Sequence, residues 1–360
     1  MSSLRTRRFK WIASLSLLAA APGGAAQPQA ADRLRADLLL LQSEDARVAQ
    51  VGWRLATANR MLCSNLAPRP GVVLYDLAQF GPAYRAAADR LFGVSAGIAV
   101  GVVVPGSAAA RAGIVAGDIV RSIDGRALIA QRPGVQPSFV GVQRAIDLLD
   151  ERLGDGSASV ELLRGDTGHT ARIAGEQGCA SLIQIVPSER RNASADGRTV
   201  TITTAAAEFA RSPDELAALV AHELAHNILK HRVRLNAAGV SRGLSKGFGK
   251  SGRLTRAAED EADRLSIHLM ARAGYDPALA LAFWERFGRA TQAIINDGTH
   301  AHWRDRTEAM QREIAGLARV DGARCPPGFD FPAGACQPPP VDRNQRSVPS
   351  SPTAVSRPEA

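Results

Sequence analysis

Aromatic side chains make up only 5% of this 360-residue chain, and it holds just four methionines, four cysteines and seven histidines. So few aromatics exclude the stacking platforms on which single-stranded nucleic acids are bound. Four cysteines are too few for a disulfide-stapled scaffold and too scattered for a cysteine-only zinc cluster. No apolar run is long enough to span a bilayer, the longest being Trp11 to Ala21. There is no internal repeat and no glycine-rich nucleotide-binding motif. With histidine this rare, a pair of them four residues apart stands out.

That pair lies in His222-Glu223-Leu224-Ala225-His226. On a helix of 3.6 residues per turn, His222 and His226 project from one face about one turn apart, so both imidazoles can reach a single ion. Glu223 is rotated about 100° from His222, beside the metal position, which suits a base acting on the attacking water. Ser212 with Glu215 reads as a capping box and Pro213 suits the first helical position. Leu216, Leu219, Val220 and Leu224 supply the apolar face. The pattern predicts a zinc site of the metallopeptidase kind.

A catalytic zinc takes three protein ligands and leaves a position open. The downstream segment Glu259-Asp260-Glu261-Ala262-Asp263 offers the third. It reads as the start of a helix through Arg272 that stops near Gly274, with Glu259 and Asp263 on one face. Glu259 can bind the ion while Asp263 orients a histidine. By itself, such a cluster also fits an acidic helix start that favours the helix dipole.

Together these segments resemble the gluzincin peptidases that include the CAAX prenyl proteases, HtpX and BepA. The resemblance is weak over residues 36–80 and strong over 180–320. It implies one Zn2+ per chain held by His222, His226 and Glu259, with Glu223 as the base and Asp263 behind a ligand. It also likens Asn192-Ala193 and Arg198 to Thr203 to the segment before the active-site helix, where an edge strand holds the substrate backbone. Thr199, Val200, Thr201 and Ile202 are the expected substrate-binding residues, and their alternation independently fits a half-buried strand. A later Thr299-His300-Ala301 with Arg306 is similar to the family's Thr-His-Pro segment with an arginine six residues after the histidine. The proline is missing and His302 stands nearby, so His300 or His302 is implied to stabilise the oxyanion, with Arg306 positioning that loop.

Arg5, Arg7, Arg8 and Lys10 before the Trp11–Ala21 run, then Pro22-Gly23-Gly24-Ala25-Ala26, read as a signal peptide cleaved after about Ala26. An exported, periplasmic or envelope protein is expected. Losing those four cations takes the net charge from +9 to +5. Much of the rest sits in Lys230 to Arg256, which holds eight cations and no carboxylate, with Gly, Ser and Lys characteristic of a flexible loop. Its expected partner, beyond solvent, is an anionic membrane surface. Phe248 is its one aromatic, which argues against nucleic acid.

In an exported chain the four cysteines point to disulfides. Cys325 and Cys336 are close in a Pro-Gly-rich tail, leaving Cys63 with Cys179. The second pair flanks an insert from Val94 to about Ile173, whose short β runs are punctuated by Pro-Gly, Gly-Asp and Asp-Gly turns, with a helix from Val140 to Leu149. The insert looks like the PDZ domain of HtrA-type envelope proteases and site-2 proteases. That resemblance implies strand addition of an extended peptide, often a C-terminus, at a loop near Val94 to Ile98, with Gly97 and Ile98 as its contacts. A domain that packs as a lid and binds nothing is the alternative.

A scaffold helix is expected within Leu38 to Met61 from the spacing of Leu39, Val48, Val51 and Leu55, and His268 falls on the helix face opposite Glu259. The fold class is therefore α+β: a mainly helical zincin-type peptidase with a small edge sheet, interrupted by a β-rich PDZ domain. The expected parts are a signal peptide (1–26), the first part of the peptidase (33–92), the PDZ domain (93–176), the catalytic part (177–321) and a Pro-rich, disordered tail (322–360). The expected activity is zinc-dependent endoproteolysis of misfolded or misassembled envelope proteins. A PDZ-led chaperone with a structural zinc is the competing reading, disfavoured because three ligands beside a glutamate leave the ion open.

Overall fold

The structure is a computed structural model that describes residues 26–240, 249–291, 303–317 and 325–336. Residues 1–25 of the expected signal segment, Arg242, Lys246, His300, His302 and the chain after Cys336 lie outside the described residues.

The chain opens with the long helix α1 (Ala26–Ala58), then β1 (Leu66–Pro68), β2 (Val72–Tyr75) and α2 (Arg85–Phe92). Next come β3 (Ile98–Val103), the short α3 (Ala108–Arg111), β4 (Ile119–Ile123), β5 (Arg126–Ala127), α4 (Val140–Gly154), β6 (Ser157–Arg164) and β7 (Thr167–Ala174). Three further strands, β8 (Gln177–Cys179), β9 (Leu182–Val186) and β10 (Ala193–Ala195), lead to β11 (Thr199–Thr203) and α5 (Thr204–Phe209). The rest is helical: α6 (Pro213–Ile228), α7 (His231–Ala237), α8 (Gly249–Arg272), α9 (Ala278–Thr291) and α10 (Trp303–Gly316). The α+β class stands, with the strand-rich part in the middle of the chain. No helix among the described residues is long and apolar enough to cross a membrane.

Two of the three apolar clusters among the described residues form the main cores. One gathers Val51, Leu55, Leu216, Leu219, Leu224, Leu265, Leu269 and Phe283 from α1, α6, α8 and α9. The other lies between the antiparallel sheet, ordered β2-β3-β4-β6-β7, and α4, which contributes Val142, Ala145 and Leu149. This sheet begins earlier than the sequence reading placed it. Strand β2 pairs with β3 in the register Val72↔Val103 and Tyr75↔Ala99, so residues assigned to the first peptidase part belong to the inserted sheet.

The helix α1 links the first core to the third, smaller cluster on the other side of the sheet. Its second half, with Val48, Val51 and Leu55, lies in the helical core, while Leu38 packs with Tyr75, Phe80 and Phe92 under the inserted sheet. At this seam Gln42 donates to the Gly101 carbonyl (2.8 Å) and the Tyr75 hydroxyl donates to Asp45 (2.7 Å). Gly101 has no side chain for a reason, since a Cβ there would stand 2.3 Å from the Tyr75 ring. Both expected disulfides are present, Cys63–Cys179 with Cα atoms 5.4 Å apart and Cys325–Cys336 with 5.6 Å. The first closes the base of the insert beside the β1–β8 ladder, where Leu66 pairs with Cys179.

Burial at the seam lifts the Asp45 carboxyl from its ordinary 3.8 to about 6, the Tyr75 hydrogen bond only partly opposing it. Because the folded pKa lies above the unfolded one, ionisation costs the folded chain more. The penalty appears as pH rises from about 4 to about 6 and persists above that. Two pKa units correspond to at most about 3 kcal/mol. Asp45→Asn keeps an acceptor for Tyr75 and is expected to resist urea better than the parent by about 1–3 kcal/mol near pH 7.5, the gain vanishing near pH 4. Equal midpoints near pH 7.5 would contradict this account of the seam.

Three expectations about the helical part are corrected. The acidic segment does not open a helix: α8 begins at Gly249, so Glu259 to Asp263 lie in its interior and the helix-dipole reading falls. The basic stretch 230–256 is not one loop, since α7 and the first turns of α8 occupy its ends and Arg234 is tied to Glu261 at 2.6 Å. Nor is the tail free from residue 322 onwards. Phe329 and Phe331 pack against the helical core, Arg264 lies over the Phe329 ring at 4.8 Å, and the Cys336 amide donates to the Met61 carbonyl. His268 is a packing residue, buried and 2.7 Å from Glu313.

Candidate metal centre

Helix α6 is buried along nearly its whole length. Its start is fixed by Ser212, whose hydroxyl accepts from the Glu215 amide at 3.2 Å, with Pro213 in the first turn. The expected capping box is only half made. The Glu215 carboxylate accepts from the Arg211 amide rather than from Ser212, and two further hydrogen bonds from Arg286 (2.9 and 2.7 Å) tie it to α9. Anchored in this way, α6 presents His222 and His226 on one face with their Nε2 atoms 3.2 Å apart.

Helix α8 brings Glu259 to the same point. Its carboxylate lies 3.4 Å from His222 Nε2 and 3.7 Å from His226 Nε2, and one ligand atom from each of the three residues falls within 4.8 Å of the others. Donors bound tetrahedrally at zinc's usual distances would be separated by about 3.3–3.6 Å. Two imidazole nitrogens and one carboxylate at these spacings, mostly out of water, fit zinc in chemistry and in size. Glu223 is buried beside His222 on the same helix.

The far side of each histidine is also occupied. His222 Nδ1 lies 2.9 Å from Asp263 Oδ1, and Asp263 accepts two hydrogen bonds from Arg306 on α10, at 2.7 and 2.6 Å. Arg306 in turn lies 4.5 Å over the ring of Trp284, which meets His222 edge-on at 5.2 Å. His226 Nδ1 lies 2.9 Å from His231 Nδ1. Burial works against a charge on His222, but Asp263 and Glu259 outweigh it and raise its pKa to about 10. Burial dominates at His226 and pushes it down to about 3, Glu259 only partly offsetting this. Burial also opposes both charges of the Asp263–Arg306 pair, yet each is held ionised by the other, and Arg306 feels Glu259 and Glu223 as well.

Of the residues singled out from sequence, His222, His226, Glu259, Glu223, Asp263 and Arg306 come together. The expected substrate strand needs correcting. β11, with Thr199, Val200, Thr201 and Ile202, is the central strand of its sheet, paired antiparallel to β10 and parallel to β9, with Val200 and Ile202 fully buried. Its backbone groups are committed on both sides. The outer strand beside α6 is β10, Ala193-Ser194-Ala195.

The same correction applies at the insert. Ile98 opens β3, an interior strand between β2 and β4, with Gly97 in the bend just before it, and Ile98 is buried, so β3 offers no open edge for an added strand. Among the described residues β2 and β7 end the main path of the sheet, and the two-residue β5 pairs with β4 alone. Leu74 of β2 shares its apolar cluster with α4, and the nearby loop carries Ile129 (86% exposed), Val135 (80%) and Phe139 (56%). Sequence reasoning missed Trp284 and His231. Nothing in the chain flags Trp284, whereas His231 is signalled by being a third rare histidine just past the motif.

Residues 171–314 match the family model of peptidase family M48, and residues 100–136 match that of a PDZ domain. No curated protein matches the chain. Among solved structures, the crystal structure of the HtrA3 PDZ domain bound to a phage-derived ligand (FGRWV) is similar at 23% identity, with a TM-score of 0.24. The match covers 31% of this chain and 89% of that one.

Proposed function

We propose that this chain, whose residues 171–314 match peptidase family M48 and whose residues 100–136 match a PDZ domain, is a zinc metallopeptidase, exported and acting as an endopeptidase on misfolded or misassembled proteins of the cell envelope. The observation that carries the reading is the convergence of His222, His226 and Glu259 within 4.8 Å, with Glu223 next to the first ligand on the same helix. In this reading those three residues hold one zinc ion. When bound, zinc supplies Lewis acidity, polarising a scissile carbonyl and making water acidic enough to deprotonate near neutral pH. Glu223 takes the proton from the attacking water and delivers it to the leaving nitrogen. β10 pairs with the substrate backbone as an added strand, in place of the residues of β11 first expected to do so. Arg306 holds Asp263, and through it His222, in position.

The PDZ domain is assigned to recruit extended peptides or C-termini along β2, since strand addition needs an open edge. Export is supported by the charged and apolar N-terminus and by two disulfides, which persist in oxidising compartments. Contact of the 230–256 region with anionic lipid remains part of the proposal only for cations other than Arg234.

Comparing protein termini between cells carrying the active enzyme and cells carrying Glu223→Gln tests this function. New internal N-termini should be confined to envelope proteins and disappear in the variant, and the enzyme itself should begin near Gln27. Cleavage products drawn from cytoplasmic proteins, or an enzyme retaining Met1, would overturn the assignment of compartment and substrate.

A further inference from the structure

We infer that His231 and Glu261 form a relay that fixes the tautomer and ring orientation of His226, and so sets how tightly the site holds its metal. The inference rests on the reading of His226 as a ligand. His226 turns Nε2 toward His222 and Glu259, which leaves Nδ1 on the opposite side, 2.9 Å from His231 Nδ1. Two ring nitrogens at that distance need one proton between them. A ligand that offers its Nε2 lone pair to an ion carries its proton on Nδ1, so His226 is the donor and His231 Nδ1 the acceptor. The proton of neutral His231 is then on Nε2, 3.1 Å from Glu261 Oε2, which accepts it. Arg234 donates to both oxygens of Glu261, at 2.6 and 3.2 Å, and completes the chain.

The fold is arranged to make this contact. Five residues further along an unbroken helix, a side chain would point about 140° away from His226. Instead α6 ends at Ile228, Lys230 takes a left-handed conformation (φ 52°), and α7 restarts at His231, which is buried against His226. Glu261 lies two residues from both Glu259 and Asp263, so it leaves α8 on the side away from the site and meets α7. The two ligand histidines are thereby held differently: His222 faces the carboxylate of Asp263 directly, and His226 reaches the carboxylate of Glu261 through a second imidazole. Outer partners of this kind contribute about 10–100-fold to metal affinity.

The test is zinc affinity by chelator competition on the full chain, with the visible spectrum of the cobalt(II)-substituted protein as a second readout. His231→Phe fills the space without an acceptor and is expected to lose about 10–100-fold in affinity and to shift the cobalt bands. In His231→Asn the amide oxygen falls near the former Nδ1 and should recover most of that loss. Glu261→Gln, at a partly exposed position, should show an intermediate loss and decides the matter if His231→Phe does not fold. Parent-like affinity and spectrum in Glu261→Gln, or an Asn variant no better than Phe, overturns the relay. His226→Ala separates the two levels of the argument: it should abolish binding, and tight zinc binding without His226 would defeat the site reading itself.

Discussion

Glu223→Gln is expected to retain about one zinc per chain and to lose peptide hydrolysis by a factor of about 10²–10⁴, the range of a positioned general base. The amide keeps the volume and part of the hydrogen bonding of the carboxylate but has no basicity. Glu223 also sits off the set formed by the two Nε2 atoms and Glu259. His222→Ala and Glu259→Ala should differ in kind, losing metal together with activity. Metal analysis and cleavage of an unfolded protein such as casein make the comparison. Full activity in Glu223→Gln would remove the assigned base, and loss of zinc in that variant would mean that Glu223 is a ligand.

The second large effect is expected at Asp263, which is buried, carries two hydrogen bonds from Arg306 and stands 2.9 Å from His222. Asp263→Ala strands the buried Arg306 guanidinium, and breaking such a pair costs about 3–5 kcal/mol. It also frees His222 to rotate, lowering zinc affinity by about 10–100-fold. Because the folded carboxyl is held below its ordinary pKa, its contribution to stability is present above about pH 4 and fades on acidification. The double substitution Asp263→Leu with Arg306→Met removes both charges and leaves His222 Nδ1 without its acceptor. It should recover much of the stability and none of the metal affinity. Urea unfolding with chelator, paired with zinc titration, reads the two separately. A double variant that regained both would leave Asp263 with a structural role only.

The parts of this protein that were legible in its sequence are those governed by contacts a few residues apart. His222 and His226 share a face because they are four apart on a helix whose cap, Ser212, is next to it in the chain, and Glu259 and Asp263 obey the same spacing. The two disulfides followed from counting four cysteines and noting which two were close. Pairing between distant segments is another matter, because alternation of side chains states that a strand has a buried face but not which neighbours it has. Thus Thr199 to Ile202 read correctly as a strand, yet only the parallel pairing with β9 makes it the middle strand and leaves the outer edge to β10. Likewise β2 is separated from β3 by α2, and nothing local says that it closes the inserted sheet.

His231 shows the limit most clearly. Its distance from His226 along the chain argues against contact on any continuous helix. A single left-handed residue, Lys230, reverses that outcome, and such a conformation in a lysine is held by tertiary packing rather than by its own preference. The candidate ligands and the proposed base were thus set by residue spacing. The strands open to a substrate and the groups that hold the ligands in place were decided where separate elements meet, because there the chain must satisfy buried polar groups with whatever the fold brings near.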